Sequence, residues 1–419
     1  MSNDGVAAAQ WPPMVRALAY RNFRLLFAGQ LLSLIGTWVQ NLALSWLVYR
    51  LTQSPAMLGI TSFANLFPGF ILAPIAGMVA DRFDRRRIML VMQGASALFA
   101  LLLAILTLTD NVEIWHVLVI GVLLGAAAAF EIPARHALVS EIVGREDLSN
   151  AIALNTTVFN TSRVIGPGIA GVLVGLIGEG WCFLTNAISF LPVMASVLML
   201  RMTAKLRVPH TTTPLRAIAE GFQHFTATPA LRATAVATIG MAVFGNIYTT
   251  LMPVFAAQVL QGGPHTLGLL MGSAGLGALL GALALAARRS HVGLSRWVEF
   301  GALGIGVCLI AFAFSRWLYL SIPLMAGVGA CWVFGTTSAN TLFQSLAPDE
   351  LRGRAVSIYL MIMMGGTPIG GLLGGALAEV FGAPLALAGG GAICCAIGFW
   401  YRRRMIQLRI EIKARNSTQ

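Results

Sequence analysis

Residues 56–87 read AMLGITSFANLFPGFILAPIAGMVADRFDRRR, a stretch that carries no charge up to Ala80 and then becomes densely charged. The uncharged part has 25 residues, and an apolar helix needs about 20 to cross a hydrocarbon core of about 30 Å. The basic residues that follow belong in water or among lipid headgroups. This stretch therefore predicts a membrane-spanning helix with a charged loop at one end.

The composition of the whole chain extends that prediction. Hydrophobic residues make up 57% of the 419 residues and charged residues 11%, whereas a soluble domain has about 45–50% and about 25%. So few charges cannot cover the surface of a soluble core of this size. The five cysteines all lie in apolar runs and form no metal-ligand pattern. We therefore expect a polytopic membrane protein without a metal or a cofactor, and exclude soluble enzymes, disordered chains and disulfide scaffolds.

Similar apolar runs recur along the chain, separated by short polar turns. They predict an all-α membrane protein with twelve transmembrane helices. The predicted spans are residues 25–49, 56–80, 88–109, 114–135, 150–178, 181–200, 233–259, 266–287, 298–315, 317–342, 355–382 and 384–401.

Lysine and arginine are distributed unequally between the two sides of these spans. Twenty-five of the 28 lie on the side of the two termini, only Arg50 and Arg316 lie on the other side, and Arg163 falls inside the fifth span. Because cytoplasmic loops are enriched in basic residues, we expect both termini in the cytoplasm and the protein in the bacterial cytoplasmic (inner) membrane. The net charge of +12 then faces the lipid bilayer, and we predict no nucleic-acid partner.

The largest hydrophilic gap separates six spans from six. Gly77 and its arginines recur as Gly281 with Arg288, and Pro167 recurs as Pro368, in the same order. This recurrence suggests a duplication with two pseudo-symmetric six-helix bundles, whose interface near the midplane usually holds the substrate site. The predicted parts are a cytoplasmic tail (1–24), a first bundle (25–200), a central cytoplasmic linker (201–232), a second bundle (233–401) and a basic cytoplasmic tail (402–419).

The charged loop holds the sharpest motif, GMVADRFDRRR at residues 77–87. Gly77 permits close helix packing, and Asp81 is an acid at the membrane edge that is costly unless it is paired. The spacing resembles the signature between the second and third helices of the major facilitator superfamily, although that pattern has glycine in place of Asp84. The resemblance implies the superfamily fold and a conformational latch in which Gly77, Asp81, Arg82 and Arg85 help to hold the two halves together on the cytoplasmic side.

A second motif, Gly166-Pro167-Gly168-Ile-Ala-Gly171, lies in the fifth span. Proline removes a backbone donor and bends a helix, while glycines let another helix approach closely. The motif resembles the fifth-helix signature of exporters in the superfamily, where it is linked to antiport. This resemblance favours export over import.

Four further segments extend the resemblance over nearly the whole chain. They read RNFR at 21–24, FEIPAR at 130–135, REDLSNAIALN at 145–155 and DELRGR at 349–354. In this order they are similar to the branch of the superfamily that contains the bacterial enterobactin exporter and macrolide-efflux-type proteins.

Two charges inside the spans have open roles. Arg163 either faces a central cavity, where it binds substrate or modulates a proton site, or is satisfied by helix carbonyls with Asn155 or Asn160. Glu131, near the cytoplasmic end of the fourth span, either carries a proton or serves as a static partner for Arg85 in the latch, and the static role is favoured.

In the superfamily the first, fourth, seventh and tenth helices line the cavity, which supplies the candidate lining residues of this chain. They are Gln30, Asn41, Asn246, Tyr248, Trp332 and Asn340. Few charges and several aromatic rings suit an amphipathic solute that is uncharged or anionic, such as a drug or a siderophore.

We therefore expect a monomeric secondary transporter, specifically a proton-coupled exporter of small amphipathic organic molecules that works by rocker-switch alternating access. Its expected partners are the small-molecule substrate, protons and the lipid bilayer. An importer on the same fold is the alternative. A membrane sensor or enzyme is remote, because the chain has no GxxxxGK[ST] nucleotide-binding loop and its histidines show no ligand-like pairing.

Overall fold

The structure, a computed structural model, describes residues 12–144, 146–200, 228–287 and 293–417. The regular elements in these ranges are all helical, and twelve of the described helices are long and apolar enough to cross a membrane. The predicted all-α fold with twelve transmembrane helices is confirmed. The helices are α1 (Arg21–Thr52), α2 (Pro55–Arg82), α3 (Arg85–Leu108), α4 (Ile114–Ile142), α5 (Leu148–Ile177), α6 (Glu179–Leu198), α7 (Pro229–Val259), α8 (Pro264–Ala286), α9 (Leu294–Phe314), α10 (Leu318–Leu346), α11 (Arg352–Phe381) and α12 (Ala383–Ser417).

Several helices continue past the predicted ends of their spans. Helix α4 ends at Ile142 although the apolar run predicted an end at 135, and α12 reaches Ser417 although 401 was predicted. Hydropathy detects only the part of a helix that lies in hydrocarbon. The backbone hydrogen bonds continue into the polar interface until a breaker intervenes, so those two predicted ends come too early.

Some predicted features lie outside the described residues. They are residues 1–11 of the N-terminal tail, Arg145, residues 201–227 of the central linker, and Arg288 with Arg289. Contacts divide the chain into two compact units. Unit 1 comprises the described residues of Met1–Leu51 and Ala64–His210. Unit 2 comprises those of Thr52–Phe63 and Thr211–Gln419. The domain boundaries expected from the sequence stay predictions.

Unit 1 is held together by close helix packing and by polar clamps. Helix α3 packs against α4 and α6, and a Cβ added to Gly29 of α1 would lie 2.8 Å from Cα of Val193 in α6. The buried Asn186 amide donates to Oε1 of Gln40 at 2.7 Å. Close approach of α1 and α6 therefore depends on small residues, as is common in membrane bundles.

The two ends of unit 1 are fastened by charged groups. At one end, Nε of Arg50 donates to Oε1 of the buried Glu179 at 2.9 Å. At the other end, a short 3₁₀ helix (Pro13–Ala19) packs on the start of α5. The backbone N–H of Ala17 donates there to Oδ1 of Asn150 at 2.9 Å, so the chain before α1 is anchored to unit 1.

Unit 2 packs through glycines on α8, α9 and α10. A Cβ at Gly277 would overlap the carbonyl of Ala326, and one at Gly329 would overlap the carbonyl of Ala274. Gly301 of α9 lies just as closely against α10. These glycines let backbones touch, which replaces the hydrophobic driving force that lipid removes.

Unit 2 contains two local features, an irregular helix and a helix start capped by a side chain. Helix α7 contains π-helical turns at Met241–Gly245 and Phe255–Val259, and such turns often occur at functional positions. At the start of α2, Oε2 of Glu379 accepts from Oγ of Ser54 at 2.7 Å and from the Ala56 N–H at 3.0 Å. A carboxylate from α11 thus satisfies the open backbone donors of α2, where the helix dipole favours negative charge.

Candidate transport site

Asp84, in the charged loop between α2 and α3, is the N-cap residue of α3. Its carboxylate accepts from the backbone N–H groups of Arg86 at 2.8 Å and Arg87 at 3.3 Å. An aspartate at this position satisfies helix donors that otherwise have no partner. This role explains why an aspartate works where the superfamily pattern has glycine.

Arg85 is engaged inside unit 1, on the last turns of α4. Its guanidinium donates to the carbonyls of Ala80 at 3.3 Å and Ala137 at 3.4 Å, and it forms an ion pair with Glu141. Both charged side chains are mostly buried, at 19% and 24% exposed. Glu131 was the static partner favoured for Arg85 from the sequence, but the structure brings Glu141 there because α4 continues beyond the apolar run.

The remaining latch residues lie on the open surface of α2. Asp81 and Arg82 are exposed, and in the part of the chain that the structure describes Asp81 forms no hydrogen bond or ion pair. A Cβ added to Gly77 would meet nothing within 4 Å. The close packing expected at Gly77 is therefore not present in this structure.

Glu131 lies deeper than the sequence suggested. It is eleven residues before the end of α4 and its side chain is 12% exposed. The amide of the buried Gln93 donates to its Oε1 at 3.2 Å, and Nε of Arg135 is 3.6 Å away. Its carboxylate thus lies between α3 and α4 with one neutral donor and one loosely held arginine.

The glycine–proline segment brings α5 against α1. A Cβ at Gly166 would overlap Trp38, while Pro167 and Gly171 are buried. Since Pro167 has no N–H, the backbone carbonyl of Arg163 loses its usual helical donor. The segment provides the close approach that the sequence predicted.

Arg163 has none of the static partners that the sequence analysis considered. Its side chain is partly buried, and among the described residues it forms no hydrogen bond or ion pair. Nδ2 of Asn160 donates instead to the Thr156 carbonyl at 3.0 Å. Arg163 is therefore a charge within α5 whose donors have no partner among the residues that the structure describes.

The six candidate lining residues fall into two groups. Asn41 is exposed, and Asn246, Trp332 and Asn340 are partly buried. Gln30 is 6% exposed, its Oε1 is buried and has no hydrogen-bond partner among the described residues, and Tyr248 is only 2% exposed. Asn246 follows the first π-helical turn of α7, which makes it the most distinctive of the four candidates in unit 2.

Sequence reasoning missed three groups in unit 1. Glu141 and Gln93 lie on α4 and α3 beside the charged loop, and Asp147 is a buried carboxylate at the start of α5. Asp147 pairs with Nε of Arg16 at 3.1 Å and accepts from the Tyr20 hydroxyl at 3.0 Å. Burial and the hydrogen bond to that carboxylate raise the pKa of Tyr20. The sequence carried a signal for two of these residues, because Glu141 stands directly before the last residue of α4 and Asp147 directly before the first residue of α5. Gln93, a neutral residue inside α3, carried none.

The chain matches a family model described as "transmembrane secretion effector" over residues 9–417. The "Staphyloferrin A transporter" of Staphylococcus aureus is 26% identical over 92% of this chain and 97% of the relative. The "Multidrug efflux pump Tap" of Mycolicibacterium fortuitum is 28% identical over 83% and 87%. "Macrolide efflux protein A" of Streptococcus pyogenes is 25% identical over 90% and 96%.

Solved structures agree on the fold. A nucleoside transporter, NupG, superposes with a TM-score of 0.71 at 13% identity, covering 92% of this chain and 99% of that one. A bacterial homolog of the human lysosomal transporter Spinster gives 0.71 at 15% identity, over 92% and 97%. At these identities the likeness concerns the arrangement of helices alone.

Proposed function

Because the chain belongs to the transmembrane secretion effectors of the major facilitator superfamily, we propose that it exports small amphipathic organic molecules across the bacterial cytoplasmic membrane. The observation that carries the proposal is full-length similarity to two drug efflux proteins and a siderophore transporter. The Gly166-Pro167 contact with α1 supports it, since that motif resembles the exporter signature. The protein works by alternating access, with both termini in the cytoplasm.

A proton gradient drives this export. One charge that crosses 100 mV carries about 2.3 kcal/mol, which sustains a gradient of roughly 50-fold at about 1.4 kcal/mol per tenfold. One proton per cycle is therefore sufficient for useful efflux.

Glu131 is the carboxylate that we assign to proton coupling. It is 12% exposed, and its nearest positive group, Nε of Arg135, is 3.6 Å away. A buried acid in a membrane helix is costly and by default marks a functional position. Arg135 is close enough to stabilise the charged carboxylate and too far to hold it permanently in a tight ion pair.

The cytoplasmic latch of this transporter consists of Asp81, Arg85 and Glu141. Arg85 is already positioned by Glu141, while Asp81 is exposed and has no partner among the described residues. Asp81 is therefore the free member, available to a cationic group or a helix end in the conformation where the cytoplasmic side closes.

Expression in a bacterium that lacks its own drug pumps tests the direction of transport. Cells that make the protein are expected to hold less chloramphenicol, an uncharged drug, or less 1-pyrenebutyrate, an anion, than cells that make the Pro167→Leu variant at equal membrane level. Equal or greater accumulation of every compound tested would contradict export.

Glu131→Gln tests the coupling. The variant is expected to lose its response to a pH gradient and to keep binding solute. Glu299→Gln is the matched control, because Glu299 lies near a helix end and pairs with Arg402 at 3.6 Å. A Glu131→Gln variant that still transports uphill with the same pH dependence would exclude Glu131 as the proton carrier.

A further inference from the structure

Arg163 is a full positive charge in the middle of a membrane helix. It is the sixteenth of the 30 residues of α5, so about 22 Å of helix separates it from either end. At that depth its side chain does not reach the headgroups by extending along the helix. Its guanidinium has no partner among the described residues, and a cation left so in a membrane is costly.

An exposed apolar row of α5 lies on the opposite side of the helix from Arg163. That row consists of Ile165, Ile169, Val172 and Leu176. At about 100° per residue, Ile165 and Val172 lie about 160° and 180° around the helix axis from Arg163. Arg163 therefore faces away from this exposed apolar row.

The side of α5 that carries Arg163 is solvent-accessible before Arg163 and buried after it. On the side of the helix start it is open and partly polar, with Thr156 exposed and Asn160 partly buried. On the other side the same face is buried at Pro167, Ala170 and Val174. Arg163 stands where the open part ends.

An aromatic pair lies beside that position. The rings of Phe159 and Trp38 meet edge to face with centroids 5.9 Å apart, and Phe159 is 45% exposed. Trp38 also contacts Gly166. Since Phe159 and Gly166 are one turn before and one turn after Arg163, Trp38 lies along the same two turns of α5 as Arg163.

The charge has no counterpart in the second half of the chain. Arg163 is four residues before Pro167, and the residue four before Pro368 of α11 is Met364, which is 39% exposed. A residue needed only for the helix architecture would be expected in both halves. We therefore expect Arg163 to have a role in the first half that Met364 does not have in the second.

We propose that Arg163 binds a carboxylate of the transported solute, with Phe159 and Trp38 holding an apolar or aromatic part beside it. This inference rests on the proposed export function and names the substrate class. The guanidinium offers five donors in a planar fork that matches a carboxylate. A single arginine among neutral polar groups balances one negative charge, which favours a carboxylate over a doubly charged phosphate.

Binding of matched acid and ester pairs to the purified protein tests the assignment. The probes are 1-pyrenebutyrate, indole-3-butyrate and decanoate, each beside its methyl ester, measured by microscale thermophoresis. The wild-type protein is expected to bind at least one acid about tenfold or more tightly than its ester, the effect of a charge-assisted hydrogen bond.

Three variants make the test specific. Arg163→Met, which installs the residue of the second half, is expected to remove the difference between acid and ester, and Arg163→Lys to keep part of it. Arg316→Met is the matched control, since Arg316 is exposed in the turn between α9 and α10. Unchanged helix content and elution volume show that each variant is folded.

The proposal is overturned if no acid binds more tightly than its ester, or if Arg163→Met retains the difference. Failure of the export function gives another result. In that case acids bind through Arg163 but neither 1-pyrenebutyrate nor the uncharged drug chloramphenicol accumulates in energised everted vesicles. Accumulation of chloramphenicol without acid-selective binding would leave export standing and remove the carboxylate assignment.

Discussion

Single residues anchor the segment that precedes α1. The Tyr20 hydroxyl donates to the buried Asp147 at 3.0 Å, and we expect Tyr20→Phe to lower the free energy of unfolding by about 1–2 kcal/mol. Tyr319→Phe, at a side chain that is 74% exposed, is the matched control. Thermal unfolding in detergent measures both, and an equal effect of the two changes would contradict the role of the hydrogen bond.

The raised pKa of Tyr20 adds a pH dependence with a definite sign. The folded protein holds the phenol proton more tightly than the unfolded chain, so the stabilisation is fully present below a pH of about 10 and is lost as the pH rises through the folded pKa. The difference in melting temperature between wild type and Tyr20→Phe should therefore shrink above that pH. A difference that grows at alkaline pH would contradict this.

The ion pair of Arg85 and Glu141 is expected to contribute to both stability and transport. Because both side chains are mostly buried, Glu141→Gln should lower stability by about 1.5–3 kcal/mol and slow transport. Glu146→Gln serves as the control, since Glu146 is exposed in the turn that follows α4. The melting temperature and the rate of drug efflux measure the effects, and a Glu141→Gln variant that equals wild type in both would remove Glu141 from the latch.

The sequence made some residue roles predictable and hid others. Gly166 was expected to let another helix approach α5 closely, and Trp38 of α1 packs against it. Asp84 looked like a departure from the superfamily pattern until the start of α3 showed it as an N-cap. Glu141 was hidden because the predicted fourth span stopped at 135, and the pairing of Arg85 depends on the three-dimensional course of α4.

At the scale of elements, glycines differ in what surrounds them. Gly277 of α8 touches the Ala326 carbonyl, whereas a Cβ at Gly168 of α5 would meet nothing within 4 Å. We expect Gly277→Ala to lower stability by about 1–3 kcal/mol through overpacking. Gly168→Ala should raise it by about 0.5–1 kcal/mol, because alanine restricts the unfolded chain.

Melting temperatures of the two alanine variants check this contrast directly. Each replaces one glycine inside a membrane helix, so helix propensity acts equally on both. Destabilisation by the same amount would show that the contacts of α8 with α10 do not depend on Gly277.

Element existence was readable from the sequence because apolar runs of about 20 residues have few alternatives to a spanning helix. Helix ends and internal irregularities were not. The π-helical turns of α7 at Met241–Gly245 and Phe255–Val259 leave no hydropathy signal, since they alter backbone pairing without altering composition.

For the whole molecule, the sequence predicted twelve helices and the superfamily, and both are confirmed. The charge distribution alone supports the predicted orientation, with both termini in the cytoplasm. The proposed direction of transport rests on local motifs and on the relatives. The fold cannot supply it, because one fold serves many functions.

Solute movement in everted membrane vesicles tests the central claim, which is outward transport driven by protons. Respiration acidifies the vesicle lumen, which corresponds to the outside of the cell. We predict that 1-pyrenebutyrate or chloramphenicol accumulates inside respiring vesicles that contain the protein, and that a protonophore abolishes this. Respiration that drives release of preloaded solute, or accumulation that the protonophore leaves unchanged, would contradict it.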